Sequence, residues 1–197
     1  MTTRLLKPLL ATIALAIMLT FPGLVLAQGG APCVPNDKGD GCLPTAPENA
    51  LVDRAVPAFS NPTQVTNPLF PIAKLRSVVM LGRVDRLPFR TEVTLLPGTK
   101  TIAWNGQTVE VLVSQYVAFL DGRIREVALD WYAQADDGSV WYFGEDVFNY
   151  EAGVVADTDG TWLAGQDGPA AMVMPATLRV GDATDATRRL RALLVTA

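Results

Sequence analysis

Between Ser77 and Gly160 the chain is cut at short intervals by turn signatures, and this punctuation limits what it can fold into. Pro97-Gly98, Asn105-Gly106, Asp121-Gly122, Asp136-Asp137-Gly138, Glu151-Ala-Gly153 and Asp157-Thr-Asp-Gly160 all qualify. Asn-Gly and Asp-Gly supply the positive φ that two-residue hairpin turns require. The runs between them are rich in β-branched and aromatic residues: 90–96, 100–104, 107–120, 123–134 and 140–148. Short strands joined by local turns predict an all-β fold, an antiparallel meander forming an open curved sheet or half-barrel. No long helical periodicity competes with that reading.

The hairpin around Asp136-Asp137-Gly138 predicts how residues face. A three-residue loop sets Trp131 opposite Phe143, Ala133 opposite Trp141 and Val127 opposite Val147. On the other face Tyr132 meets Tyr142, with Glu126, Asp130 and Asp146 nearby in the pleat. One face is then apolar and the other polar, as a half-buried sheet requires.

Upstream the composition changes. Eight of the fourteen prolines fall between Gln28 and Pro71, and proline cannot serve in a central strand or a long helix. Residues 28–68 therefore read as an extended tether, with the β domain at 69–182. Before the tether, Arg4 and Lys7 precede an uncharged stretch from Pro8 to Ala27 with Pro22-Gly23 near its end. That is the layout of a signal peptide at 1–27, cut after Ala27, which places the protein outside the cytoplasm as a secreted or cell-envelope protein. An uncleaved anchor is the rival reading, and only then does the chain itself meet the membrane. Cys33 and Cys42, the only cysteines, are expected to pair as a disulfide closing a small loop.

The chain has no histidine and carries 16 Lys+Arg against 20 Asp+Glu. Serine- or cysteine-histidine nucleophile systems and His-ligated zinc or haem are thereby excluded. The acidic balance, with no basic stripe, argues against nucleic acid.

Six segments occur in a recognisable order. They are Asn67-Pro68-Leu69-Phe70-Pro71, Arg90-Thr91-Glu92-Val93, Leu96-Pro97-Gly98-Thr99-Lys100, Asp130-Trp131-Tyr132-Ala133-Gln134, Asp137-Gly138-Ser139-Val140-Trp141-Tyr142-Phe143-Gly144-Glu145-Asp146 and Met174-Pro175-Ala176. Together they resemble a group of uncharacterised exported bacterial proteins, mostly actinobacterial. The resemblance covers residues 67–182 and implies a secreted all-β domain; it supplies no activity. Two departures stand out. Ala73–Leu81 replaces a Gly-Thr-aromatic strand, and beyond Asp182 the tyrosine- and acid-rich continuation of the relatives is replaced by a basic, apolar tail. Residues 183–197 read either as a frameshifted or truncated remnant or as a short helix with Leu190, Leu193 and Leu194 on one stripe.

Candidate chemistry is sparse. Asp130 and Asp146 could approach the separation of a glycosidase pair, with Tyr132 and Tyr142 as a stacking platform. Ordinary strand and turn carboxylates explain the same pattern. Asp157-Thr-Asp159-Gly160 and Asp37-Lys-Gly-Asp40-Gly lack the further ligands of a calcium loop, and turn chemistry accounts for both. No metal, cofactor or catalytic residue is expected. The residues singled out for ligand binding are Tyr132, Tyr142, Asp130 and Asp146. The leading expectation is a non-enzymatic β-sheet binding module for an apolar or lipid-like molecule. The alternatives are a cell-surface structural module contacting glycan or protein, and a carboxylate-dependent hydrolase.

Overall fold

The computed structural model describes Gly41, residues 46–74 and residues 77–184. The segment expected to be a signal peptide, the cysteines expected to pair, Cys33 and Cys42, and residues 185–197 lie outside the described residues. Within them the fold is a single antiparallel sheet that curls into an open half-barrel. Its strands are β1 (Ser77–Val84), β2 (Leu87–Trp104), β3 (Gln107–Leu120), β4 (Arg123–Gln134), β5 (Val140–Glu151), β6 (Val154–Asp157), β7 (Trp162–Leu163) and β8 (Ala171–Met174). The order is β1-β2-β3-β4-β5-β6, and the short β7 and β8 follow β6 along the outer edge of β5.

The turn signatures explain this meander. Asn105-Gly106, Asp121-Gly122 and Ala152-Gly153 each have both residues at positive φ, the geometry that matches strand twist across a two-residue turn. Asp85-Arg86 does the same without a glycine, so the first hairpin carries no sequence signal of that kind. Pro97-Gly98 departs from expectation. It does not end a strand but forms a bulge inside β2, between Leu95 and Thr99, with Gly98 at φ +113°. Proline is tolerated there because its missing N–H falls where the ladder is interrupted.

In the β4–β5 hairpin, Ala133 faces Trp141 and Tyr132 faces Tyr142, as a three-residue loop requires. The loop is tied internally, since Asp137 accepts from the Ser139 N–H and hydroxyl, and Ser139 accepts from the Trp141 indole at 2.8 Å. Beyond Tyr132 the expected register fails: Trp131 faces Gly144 and Val127 faces Phe148. Phe143 is an extra residue on β5, and this bulge exchanges the faces of everything after it. Gly144 makes it possible, at φ +126° and with a would-be Cβ only 2.1 Å from the Trp162 carbonyl oxygen.

The stretch expected to be a tether is in part a strap. Residues 53–72 lie against the sheet with Asp53, Val65, Asn67 and Ile72 buried. Gln134 Oε1 accepts the backbone N–H groups of Thr66 and Asn67, and Asp136 accepts from the Ser60 N–H and hydroxyl. The Asn67 amide donates to the carbonyls of Gly138 and Pro175. Phe59 packs edge-on against Trp104 and Phe143, whereas Phe70 packs on Tyr132, which belongs to the opposite face. The strap thus passes round the β4–β5 loop from one face of the sheet to the other. Proline suits it, because an extended segment held by side chains needs few of its own N–H groups.

The core follows from this cover. Ile102, Trp104, Val109, Val111, Trp131, Ala133, Trp141 and Phe143 are all buried beneath Phe59 and the chain that follows β6. A smaller cluster of Val65, Ile72, Leu112 and Val140 gathers under Phe70 on the other face. Among the described residues, the half of the sheet bearing the β1–β2 and β3–β4 turns has no such layer. There Val79, Met80, Leu81, Val84 and Leu87 are exposed.

Candidate functional site

Residues paired across antiparallel strands share a face, so the registers order the second face into rows. Leu112, Tyr132 and Tyr142 form one row. Next come Leu95, Ser114, Asp130 and Glu145, then Val78, Val93, Tyr116, Ala128 and Val147. Thr91, Ala118 and Glu126 follow beside Met80. Ala118 and Ala128 are 3% and 1% exposed, although the larger Val117 and Val127 behind them are only half-buried. Small side chains better covered than large ones on the reverse place the curl of the sheet toward this face.

The polar groups concentrate in the middle of this concavity. Tyr142 OH donates to Asp130 Oδ1 at 2.6 Å, and the Tyr142 ring stacks on Tyr132 at 4.9 Å and 20°. Burial, then the Asp130, Glu145 and Tyr132 charges, push the Tyr142 hydroxyl far above its ordinary range. Burial, with the Glu126 and Asp130 carboxylates, also raises Tyr116. Burial alone raises Glu126, so its carboxyl takes up a proton more readily than an exposed glutamate. Ser114 is wholly buried, and its hydroxyl has no hydrogen-bond partner among the described residues.

Of the four residues singled out for ligand binding, Asp130, Tyr132 and Tyr142 come together and Asp146 does not. Asp146 faces Leu129 on the reverse of the sheet, so it cannot flank one bond together with Asp130. Glu145 takes its place beside Asp130, because the bulge shifts parity by one residue. The tyrosines are also not an open platform. Tyr142 is 3% exposed and packed by Trp162, and Phe70 lies over Tyr132. They form the packed back of the concavity. Its accessible lining includes Tyr116, Glu126 and Glu145, all partly exposed. The lone Gly144 in the middle of a strand run was the sequence signal for the bulge and hence for Glu145.

Other candidates resolve into structure. A shallow pocket of about 390 Å³ lined by Ser60, Gln64, Thr66, Gln134 and Asp136 is where the strap is fastened, and those bonds engage the Ser60, Gln134 and Asp136 side chains. Asp157 accepts from Asn149 Nδ2 and from the Asp159 N–H, which is turn chemistry. Among the described residues no group of three or more Cys, Asp or Glu is placed to hold a metal ion. No protein-family model, curated protein or solved structure matches the chain.

Proposed function

We propose that this is an exported, non-enzymatic binding module whose curled sheet holds a lipid-like molecule. The observation that carries this reading is the contrast between adjacent rows of the concave face. An apolar wall of Val78, Val93, Ala128 and Val147, which shares its row with Tyr116, lies between acids that make a polar floor, the buried Asp130 and half-buried Glu145 in the row on one side and half-buried Glu126 in the row on the other. An apolar chain fits the wall, and a head group able to donate hydrogen bonds fits the floor. A carboxyl with a raised pKa suits this role, because it can accept or donate according to its protonation.

Organic extraction of the protein purified from its native host, followed by mass spectrometry, tests the proposal. The expected result is a stoichiometric amphiphile whose addition to stripped protein raises the melting temperature. Clean protein that shows no thermal shift with any amphiphile would overturn it.

A further inference from the structure

The uncovered end of the half-barrel has a composition unlike the rest of the chain. The β1–β2 turn and the β3–β4 turn lie side by side there, joined by the Asp121 N–H donating to the Pro88 carbonyl at 2.8 Å. Segments 81–90 and 119–125 contain five arginines, Arg83, Arg86, Arg90, Arg123 and Arg125, against two aspartates. The remaining 180 residues hold 11 basic and 18 acidic residues. All five arginines are exposed, and so are Leu81 at 80%, Val84 at 42% and Leu87 at 42%. Arg90 is held by Glu92 and lies over the Phe119 ring at 4.2 Å. Arg83 reaches the Arg86 carbonyl, which fixes the hairpin tip without neutralising its charge.

Val84 and Leu87, paired and exposed at the hairpin tip, with the exposed Leu81 further along β1 on the other face and arginines around them in an otherwise acidic protein, have one complement that satisfies both features. We infer that this rim docks on an anionic lipid bilayer. Val84 and Leu87, the pair next to the turn, enter the boundary between head groups and acyl chains. Arg83, Arg86, Arg123 and Arg125 meet lipid phosphates, for which the planar guanidinium is well matched. The acidic remainder of the chain is repelled, so docking is oriented. The inference concerns the rim alone and stands whether or not the concave face holds a ligand.

Co-sedimentation of the full chain with vesicles tests it, comparing phosphatidylcholine alone with phosphatidylcholine–phosphatidylglycerol mixtures. Residues 1–27 are common to every variant, so differences between variants report the rim. Binding is expected to favour the anionic vesicles and to weaken as salt rises. Arg83→Gln, Arg86→Gln, Arg123→Gln and Arg125→Gln combined should weaken it by about tenfold or more. Val84→Ser with Leu87→Ser should also weaken it, and Arg54→Gln with Arg179→Gln should leave it unchanged. The four tryptophans sit in the covered half, so their emission checks folding independently of the rim. Equal binding to both vesicle types, or rim variants indistinguishable from wild type, would overturn the inference. So would a dimer formed through β1 that Val84→Ser with Leu87→Ser abolishes, because the pair would then serve a second copy.

Discussion

Gly144→Ala tests the structural claim on which the site depends. The glycine lies at φ +126°, a region essentially closed to other residues, and forcing alanine into it costs about 1–3 kcal/mol. The new methyl would sit 2.1 Å from the Trp162 carbonyl oxygen, and that atom is backbone, so β7 must move by more than an ångström. Moving β7 disrupts the pairing of Gly144 with Leu163 and of Glu145 with Trp162, and loosens the edge contact of Trp162 on Tyr142. The combined loss should reach about 3–5 kcal/mol, a large part of the 5–15 kcal/mol typical of a domain. Gly153→Ala is the control: φ is +85° but nothing lies within 4 Å, so only strain of about 1–2 kcal/mol remains. Urea unfolding followed by tryptophan emission measures both, because Trp104, Trp131, Trp141 and Trp162 are all buried and will shift to the red together. Equal losses for the two variants would refute the close approach of β7 to the bulge, and with it the placement of Glu145 beside Asp130.

Two further predictions concern the floor of the concavity. Tyr142→Phe deprives the buried Asp130 carboxylate of a 2.6 Å donor and should cost about 2 kcal/mol at neutral pH, measured by the same unfolding curves. The wild type should also lose stability above pH 10. There the unfolded chain releases the Tyr142 proton while the folded chain keeps it, a slope of about −1.4 kcal/mol per pH unit that Tyr142→Phe should remove. An alkaline limb of the same slope in the variant would assign it to other groups. Ser114→Ala removes a buried hydroxyl that has no partner among the described residues, and should raise stability by about 1 kcal/mol in ligand-free protein. A loss of stability instead would mean that the hydroxyl is bonded in the native state.

Local chemistry made the central strands β3, β4 and β5 and the turns between them legible. Asn105-Gly106 and Asp121-Gly122 state their own φ, and the pairing of Tyr132 with Tyr142 followed from the length of one loop. What was not legible depends on distant parts of the chain. The lone Gly144 marks a place where a bulge is tolerated, but Trp162 packs there from 18 residues downstream, and no local pattern encodes that approach. Pro97-Gly98 has the composition of a turn, yet β3 continues past it and holds β2 together on both sides. Strict alternation placed Asp146 on the tyrosine face, and a single inserted residue put its neighbour Glu145 there instead.

The strap shows the same limit from the opposite direction. Its prolines argue for an extended segment, but extension says nothing of attachment. Attachment comes from Gln134 and Asp136, whose side chains supply acceptors to a backbone that has no ladder of its own. Those two residues belong to the β4–β5 hairpin end, where a solvated strand end would equally call for polar side chains. The same bonds explain why only one half of the sheet has a two-sided core. Phe59 and Phe70 are delivered to opposite faces at the β4–β5 end, and beyond their reach the sheet keeps one face curled on itself and the other bare. Val84, Leu87 and the arginines of the rim lie in that half. A sheet left open at one end while fastened at the other has its rigid anchor and its exposed surface in separate places. Substitutions at Leu87 or Arg86 can therefore change what the rim touches without disturbing Trp131, Trp141 and Phe143.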